Sequence, residues 1–167
     1  MGSGGKECLT FPNYVKKCEN DMFLGSYNYS IDAKGRISIP AKLRKFVSPE
    51  ANDTFVLTRG SSKCINIYPM DYWKELVANK LDKLNTFDPK DAKFMRLFLQ
   101  EATEDTFDTQ SRLLVPKKLI DSAEIDKDVI ILGMNKYIEV WSPKLYEAYL
   151  KEIEEPYETI AKEVMDV

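Results

Sequence analysis

Hydrophobic and polar positions follow the same order of short patterns twice along this chain. In the first half, residues 27–31 alternate between apolar and polar side chains, which predicts a half-buried strand. Residues 32–35 then predict a tight turn, because Gly35 can adopt a positive φ. Pro40 suits the first position of a short helix, where its missing N–H costs nothing. The other first-half predictions are a returning strand at 36–39, the short helix at 41–46, strands at 54–58 and 64–68, and a helix after Pro69.

The second half repeats these patterns in the same order, which predicts an α+β protein made of two related units. The clearest match is a peptide that occurs twice: residues 31–40 read IDAKGRISIP, and residues 107–116, 76 positions later, read FDTQSRLLVP. Two such halves can pack about a pseudo-two-fold axis, which would place both turns on one surface. The other second-half predictions are a short helix after Pro116, strands at 129–132 and 137–141, and a helix that Ser142 caps.

Two amphipathic helices lie outside the repeated patterns. One begins at Asp88 and carries Phe94, Leu97 and Phe98 as an apolar stripe, and the other spans about 156–165. Such stripes more often pack in a core than bind a partner, so core packing is the prediction for both. The predicted divisions are a disordered or added leader at 1–21, a first repeat at 22–84, a linking helix at 85–105, a second repeat at 106–149 and a C-terminal helix at 150–167.

Composition narrows the classes of function. The 167 residues are 44% hydrophobic and 31% charged, as in an ordinary globular protein, and no apolar segment approaches the roughly 20 residues that cross a bilayer. The three cysteines lack metal-binding spacing, and the chain has no histidine, the commonest general base and metal ligand. No paired catalytic carboxylates or phosphate-binding glycine loop stand out. The sequence therefore predicts a cytoplasmic protein that is not an enzyme and uses no metal, cofactor or membrane.

Charge is unevenly distributed, although the formal net charge is only −3. Residues 22–63 contain seven cations and three acids, whereas residues 144–167 contain three cations and seven acids. One end of the chain can therefore attract phosphate while the other repels it. The alternative explanation is two solvated faces of opposite sign.

The repeated loops are the candidate functional elements. Asp32 and Asp108 are predicted to form the turns with Gly35, because an aspartate at the start of a turn accepts hydrogen bonds from turn N–H groups. Four residues after each aspartate come Arg36 and Arg112, which can either pair with the aspartates or bind phosphate through the planar guanidinium. Two cationic loops on a two-fold surface suit duplex DNA, whose backbones are also two-fold related.

The two loops differ at their tips. Gln110 in the second loop replaces Lys34 of the first, and Ser111 replaces Gly35. The first loop is therefore predicted to lead any contact with DNA, and the second chiefly to complete the fold.

Several motifs together make a resemblance to a known family specific. Residues 22–25 read MFLG, residues 32–40 read DAKGRISIP, and the second Asp-x-x-x-Arg motif occupies 108–112. With TRG at 58–60 and IYP at 67–69, the chain resembles the MraZ family over nearly all its length apart from the leader. By motif position, the resemblance implies that Lys34 and Arg36 contact DNA and that Arg112 is their second-copy equivalent.

The resemblance also implies a fold and a function. The expected fold is a swapped-hairpin β-barrel of the SpoVT/AbrB type, built from two tandem AbrB-like repeats with flanking helices. The expected function is a bacterial, cytoplasmic and nucleoid-associated regulator of the division and cell-wall gene cluster. It would form a homo-oligomeric ring and bind double-stranded DNA at short direct repeats in its own promoter. An antitoxin-like or protein-interaction module of the same barrel class, whose acidic C-terminal helix holds a partner, is the alternative.

Overall fold

The computed structural model describes residues 22–166, so the predicted leader at 1–21 lies outside the described residues. Two short 3-10 helices lie at Pro49–Ala51 and Leu81–Lys83. The strands are β1 (Ser26–Ser30), β2 (Arg36–Ser38), β3 (Thr54–Arg59), β4 (Ile65–Pro69), β5 (Thr103–Thr106), β6 (Arg112–Leu114), β7 (Asp128–Met134) and β8 (Tyr137–Trp141). The α-helices are α1 (Ala41–Arg44), α2 (Met70–Asn79), α3 (Pro89–Leu99), α4 (Lys117–Ser122), α5 (Pro143–Glu152) and α6 (Tyr157–Met165).

Residues suited to capping precede both α3 and α5, but a side chain caps only α3. At the start of α3, the Asp88 side chain accepts hydrogen bonds from the backbone N–H groups of Lys90 and Asp91 at 2.9 and 3.0 Å. Ser142 occupies the N-cap position of α5 as predicted, but its side chain makes no capping hydrogen bond. Pro143 at the first helical position has the φ that a helix needs, so α5 begins without that bond.

The strands form a six-stranded antiparallel sheet in the order β1-β7-β8-β4-β3-β5, and β2 pairs with β6 in a separate two-stranded sheet. The halves exchange strands in this arrangement. Strand β1 of the first half pairs with β7 of the second, and β5 at the start of the second half pairs with β3 of the first. Each half therefore depends on the other to complete its part of the sheet.

The pairing register defines a pseudo-two-fold axis. Ile37 of β2 lies opposite Leu113 of β6, and Asn66 of β4 lies opposite Glu139 of β8. In both pairs the partners occupy equivalent positions of the two halves. A position can face its own equivalent only at a two-fold axis, so the axis passes through both pairs. This agrees with the packing that the repeated peptide predicted.

The main core lies between the two sheets. Ile37 and Leu113 have no exposed surface, and both belong to one cluster with side chains of the six-stranded sheet. Burying an aliphatic side chain of this size stabilises the fold by about 1.5–3 kcal/mol. Because Ile37 and Leu113 each follow a repeated arginine, this cluster also anchors both turns. Other fully buried members are Phe55, Leu57, Ile65, Ile67, Ile131 and Ile138.

The apolar stripe of α3 is only partly packed. Phe98 stacks on Trp73 of α2 with 5.7 Å between ring centroids, and the Thr58 hydroxyl donates to the Phe98 carbonyl at 3.2 Å. Phe94 stacks on Phe98 from the solvent side, and both Phe94 and Leu97 remain 50% exposed. The prediction of core packing is therefore met only in part by Phe98, which is half-buried against Trp73 and lies outside the main core cluster. It is wrong for Phe94 and Leu97.

The C-terminal helix α6 does not pack in the core as predicted. None of its side chains is buried, and Tyr157 and Val164 are 80% and 75% exposed. Within residues 22–166, no helix is both long and apolar enough to span a membrane.

Candidate nucleic-acid interface

Asp32 organises the first turn. Its Oδ1 accepts hydrogen bonds from the backbone N–H groups of Lys34 and Arg36, each at 2.9 Å. Its Oδ2 lies 2.7 Å from both Nε and Nη2 of Arg36. The N–H of Gly35 donates to the Asp32 carbonyl at 2.9 Å, and Gly35 adopts a φ of 80°. One carboxylate thus fixes both the turn backbone and the arginine that follows it.

Asp108 organises the second turn in the same way. Its Oδ1 accepts from the N–H groups of Gln110 and Arg112 at 2.8 and 2.9 Å, and Oδ2 accepts from Arg112 Nε at 2.8 Å. Ser111 occupies the place of the glycine with a φ of 57°. A side chain in this left-handed conformation costs about 1–2 kcal/mol. The second turn therefore keeps the geometry of the first at some cost in stability.

Pairing of β2 with β6 brings the two turns together on one surface. The Gly35 carbonyl accepts from the Val115 N–H at 2.8 Å, and the Ser111 carbonyl accepts from the Ile39 N–H at 3.4 Å. These two bonds are equivalent under the pseudo-two-fold axis. The predicted shared surface is therefore present, and both turns are held by backbone bonds to the opposite half.

Ion pairing and phosphate binding by the arginines are compatible in this geometry. Arg36 and Arg112 pair with Asp32 and Asp108, and Arg112 Nη1 also lies 3.9 Å from Asp32 Oδ2. The arginine side chains remain 31% and 21% exposed, and a guanidinium has five donors, so each pair leaves donors for a ligand. Lys34 is exposed and has no ion pair among residues 22–166, which leaves the first turn with an uncompensated positive charge.

Comparison with known proteins also divides this chain into two similar parts. A family model described as "MraZ protein, putative antitoxin-like" matches twice, over residues 22–97 and 98–167. The chain belongs to the MraZ family. This confirms the resemblance that the repeated motifs indicated.

Curated relatives in the MraZ family match along almost their whole length. The protein named Transcriptional regulator MraZ of Halothermothrix orenii is 42% identical over 146 residues, covering 87% of this chain and 99% of that protein. The protein of the same name from Natranaerobius thermophilus is 39% identical over 145 residues, covering 87% and 98%. The relative from Moorella thermoacetica, which also has this name, is 39% identical over 146 residues, covering 87% and 98%.

Arg44 is a candidate residue of this MraZ family member that the sequence did not single out. Its Nε donates to the Ile39 carbonyl at 3.1 Å, and its Nη1 donates to the Ser111 hydroxyl at 2.9 Å. The cation thus connects the end of α1 to the tip of the second turn. Ser111, which stands where the first turn has a glycine, was the only sequence signal for this contact. No pattern along the chain indicates that two residues 67 positions apart lie together.

Hydrogen bonds hold the pKa of both turn aspartates below the ordinary value of 3.8. For Asp32 the largest cause is the backbone N–H of Arg36, and for Asp108 it is the backbone N–H of Arg112. The arginine side chains add to this lowering, and burial opposes it. Both carboxylates are therefore ionised throughout the physiological range. Within residues 22–166, no cluster of acidic or cysteine side chains is suited to holding a metal ion.

We expect the carboxyl groups of Asp32 and Asp108 to titrate below pH 3.8 in a carbon-detected NMR titration. Because folding lowers their pKa, the stabilisation they give is fully present above the unfolded value and is lost as pH falls through the folded value. The Arg36→Gln variant should raise the pKa of Asp32 part of the way, since the backbone N–H remains, and leave Asp108 unchanged. A wild-type midpoint at or above 3.8 would contradict the turn geometry.

Replacing Gly35 with alanine should destabilise the fold by about 1–2 kcal/mol, because alanine is strained at a φ of 80°. The added Cβ would also lie 3.1 Å from the Val115 carbonyl oxygen and 3.3 Å from Cδ1 of Ile120. Denaturant unfolding measures the change. The comparison variant Ser111→Gly relieves the equivalent strain but also removes the hydroxyl that accepts from Arg44, so the two effects oppose each other and the net change should be smaller than that of Gly35→Ala. Equal stability of Gly35→Ala and wild type would show that the turn adopts another conformation.

Proposed function

We propose that this protein is a transcriptional regulator that binds double-stranded DNA through its two paired turns. The observation that carries this proposal is the placement of two Asp-x-x-x-Arg turns on one surface about a pseudo-two-fold axis. The backbones of duplex DNA are related by two-fold axes as well, so the two turns can meet equivalent phosphates. The name of the relatives, Transcriptional regulator MraZ, supports the same function rather than an enzymatic one.

The first turn leads the contact with DNA. Lys34 lies exposed at its tip and has no ion pair within residues 22–166, and Arg36, oriented by Asp32, follows two residues later. In the second turn Gln110 supplies no charge, so Arg112 is an auxiliary contact. Arg44 is well placed to steady that second turn through its bond to Ser111. Because Lys34 has no charged equivalent in the second turn, the first turn carries more positive charge than the second.

The DNA target in this proposal is a set of short direct repeats in the promoter of the protein's own gene, within the division and cell-wall gene cluster. One pair of turns offers few phosphate contacts, and electrostatic affinity grows with their number. A homo-oligomeric ring on direct repeats would multiply these contacts through effective concentration. The protein would act in the cytoplasm, associated with the nucleoid.

The exchanged strands support a closed swapped-hairpin barrel. Ile31, which follows β1, bridges to Ile37 of β2, and the Asp105 side chain of β5 accepts from the Leu114 N–H of β6 at 2.6 Å. These contacts connect edges of the six-stranded sheet to the two-stranded sheet. In the proposed barrel, the two hairpins close the ends and carry the DNA-binding turns.

The affinity for promoter DNA should fall steeply as salt rises, because each neutralised phosphate releases counterions. Fluorescence anisotropy over a range of salt concentrations gives the slope of log affinity against log salt. Replacing Lys34 with glutamine should reduce that slope by about one for each engaged first turn. The control variant Lys80→Gln, at an exposed residue that ends α2, should leave the slope unchanged. A flat salt dependence of the wild-type protein would refute phosphate binding by the turns.

An antitoxin-like interaction module is a second candidate, favoured by the description of the family model. In that function the acidic helix α6 would hold a second protein while the turns hold DNA. Co-purification from the native host separates the candidates. A stoichiometric second protein that depends on α6 would favour this function, whereas self-association alone would count against it.

A further inference from the structure

Arg44 of α1 is an exposed cation that lies beside the second turn and has no counter-charge of its own. Its Nε donates to the Ile39 carbonyl and its Nη1 to the Ser111 hydroxyl. No carboxylate within residues 22–166 forms an ion pair with it. Because a guanidinium has five N–H donors, these two bonds leave three donors for a ligand.

The Ser111 hydroxyl can donate to the same ligand. Its oxygen accepts from Arg44 at 2.9 Å, and its own O–H donates to no group within residues 22–166. Ser111 also keeps a left-handed φ of 57°, which a glycine would adopt without strain. Strained backbone of this kind is concentrated at functional sites. A glycine here would relieve the strain but would also remove the hydroxyl.

The equivalent position beside the first turn has different chemistry. Equivalent residues of the two halves are 76 positions apart, so Ile120 corresponds to Arg44 and Gly35 to Ser111. A Cβ added to Gly35 would lie 3.3 Å from Cδ1 of Ile120, so Ile120 lies beside the first turn as Arg44 lies beside the second. The first turn therefore has an apolar neighbour where the second has a cation.

Arg44 replaces in space the charge that the second turn lacks in sequence. The first turn has two cations of its own, Lys34 and Arg36, whereas Gln110 leaves the second turn with Arg112 alone. Addition of Arg44 from the other half gives the second turn a second cation. Both sides of the pseudo-two-fold surface then present two cations, which suits the two equivalent backbones of a DNA duplex.

We propose that Arg44 and Ser111 together bind a backbone phosphate of duplex DNA at the second turn. This inference rests on the DNA-binding function proposed above and adds a phosphate contact to it. The remaining N–H groups of Arg44 and the O–H of Ser111 would donate to one phosphate. Their mutual bond holds both groups in place before DNA binds, so little side-chain order remains to be imposed on binding. Arg44 lies beside the second turn and not at its tip, so the first turn still leads the contact.

The decisive variant is Arg44→Gln, which removes the charge from this site. The slope of log affinity against log salt should fall by about one for each engaged second turn. Binding should weaken by a similar factor on the gene's own upstream DNA and on an unrelated duplex of equal length, because phosphates carry no sequence information. Fluorescence anisotropy on both duplexes measures these changes. Arg44→Lys should keep the wild-type slope, because the lysine retains the charge.

Two further variants separate the charge of Arg44 from other effects. Lys45→Gln removes an exposed cation at the end of α1 and should leave the slope unchanged. Ser111→Ala removes the hydroxyl but no charge, so it should weaken binding at an unchanged slope. Unaltered binding by Ser111→Ala would overturn the role of the hydroxyl. Thermal unfolding followed by circular dichroism should show that all these variants are folded.

A folded Arg44→Gln variant with the wild-type slope would overturn the inference, because Arg44 would then only hold the second turn in place. Equal loss of slope in Arg44→Gln and Lys45→Gln would also overturn it, since the cause would be the overall charge of the protein. Failure of the proposed function differs, because the wild-type protein itself would then show a flat salt dependence. A steep wild-type slope that depends on Lys34 but not on Arg44 would reject this inference alone.

Discussion

Replacing Arg36 with alanine is expected to abolish most binding to promoter DNA while leaving the fold intact. The side chain is held by two contacts of 2.7 Å to Asp32 and keeps exposed donors on the surface that both turns share. Its loss removes those donors and leaves the Asp32 carboxylate facing the phosphates without its counter-charge. The binding free energy should weaken by about 1–3 kcal/mol for each first turn that contacts DNA. The total loss is larger when several copies of the protein bind neighbouring direct repeats.

Anisotropy titrations with the gene's own upstream DNA measure this effect. The matched variant is Arg112→Ala, which removes the equivalent arginine of the second turn and should weaken binding less, because that turn lacks a lysine at its tip. Thermal unfolding followed by circular dichroism should show that both variants are folded. If Arg36→Ala bound promoter DNA as tightly as wild type, the first turn would lie outside the DNA site.

Replacing Ile37 with alanine should lower the free energy of unfolding by about 2–5 kcal/mol. Ile37 has no exposed surface and faces Leu113 at the pseudo-two-fold axis, so the cavity opens where the two halves meet. Because β1 and β5 pair across the halves, the loss should destabilise both halves together. Denaturant unfolding should therefore remain a single transition with a lower midpoint.

A neighbouring residue gives the matched control for this core variant. Leu114 lies next to Leu113 but is largely exposed, so Leu114→Ala should change stability by no more than about 0.5 kcal/mol. Equal effects of Ile37→Ala and Leu114→Ala would contradict the burial of Ile37. Two separate unfolding transitions in either variant would contradict the exchange of strands between the halves.

The order of elements was predictable because local patterns determine it. Alternation, turn glycines and helix-starting prolines placed most strands and helices close to their observed positions. The exception is β5 (Thr103–Thr106), which falls within the predicted linking helix at 85–105, whereas α3 ends at Leu99. The repeated peptide also indicated the pseudo-two-fold axis, since Ile37 and Leu113 follow the two arginines. Exchange of β1 and β5 was expected only through the family resemblance, because alternation shows that a strand is half buried and not which strand it pairs with.

Other features depend on contacts between distant positions, which one sequence does not reveal. The bond from Arg44 to Ser111 joins the two halves, and it exists only because β2 pairs with β6. The same limit explains the wrong prediction for α6. An amphipathic stripe shows that a helix has an apolar face. Whether that face is buried depends on where the preceding residues position the helix relative to the core. DNA contact by Lys34, Arg36 and Arg112 remains a prediction.

The most direct test of DNA binding by an assembled protein is its molar mass in solution with and without a fragment of the gene's own upstream DNA. Light scattering should show a multiple of the chain mass for the protein alone. With the fragment at low salt, a larger complex should form that dissociates as salt is raised. A single chain that does not associate with the fragment at low salt would contradict both the DNA-binding function and the ring.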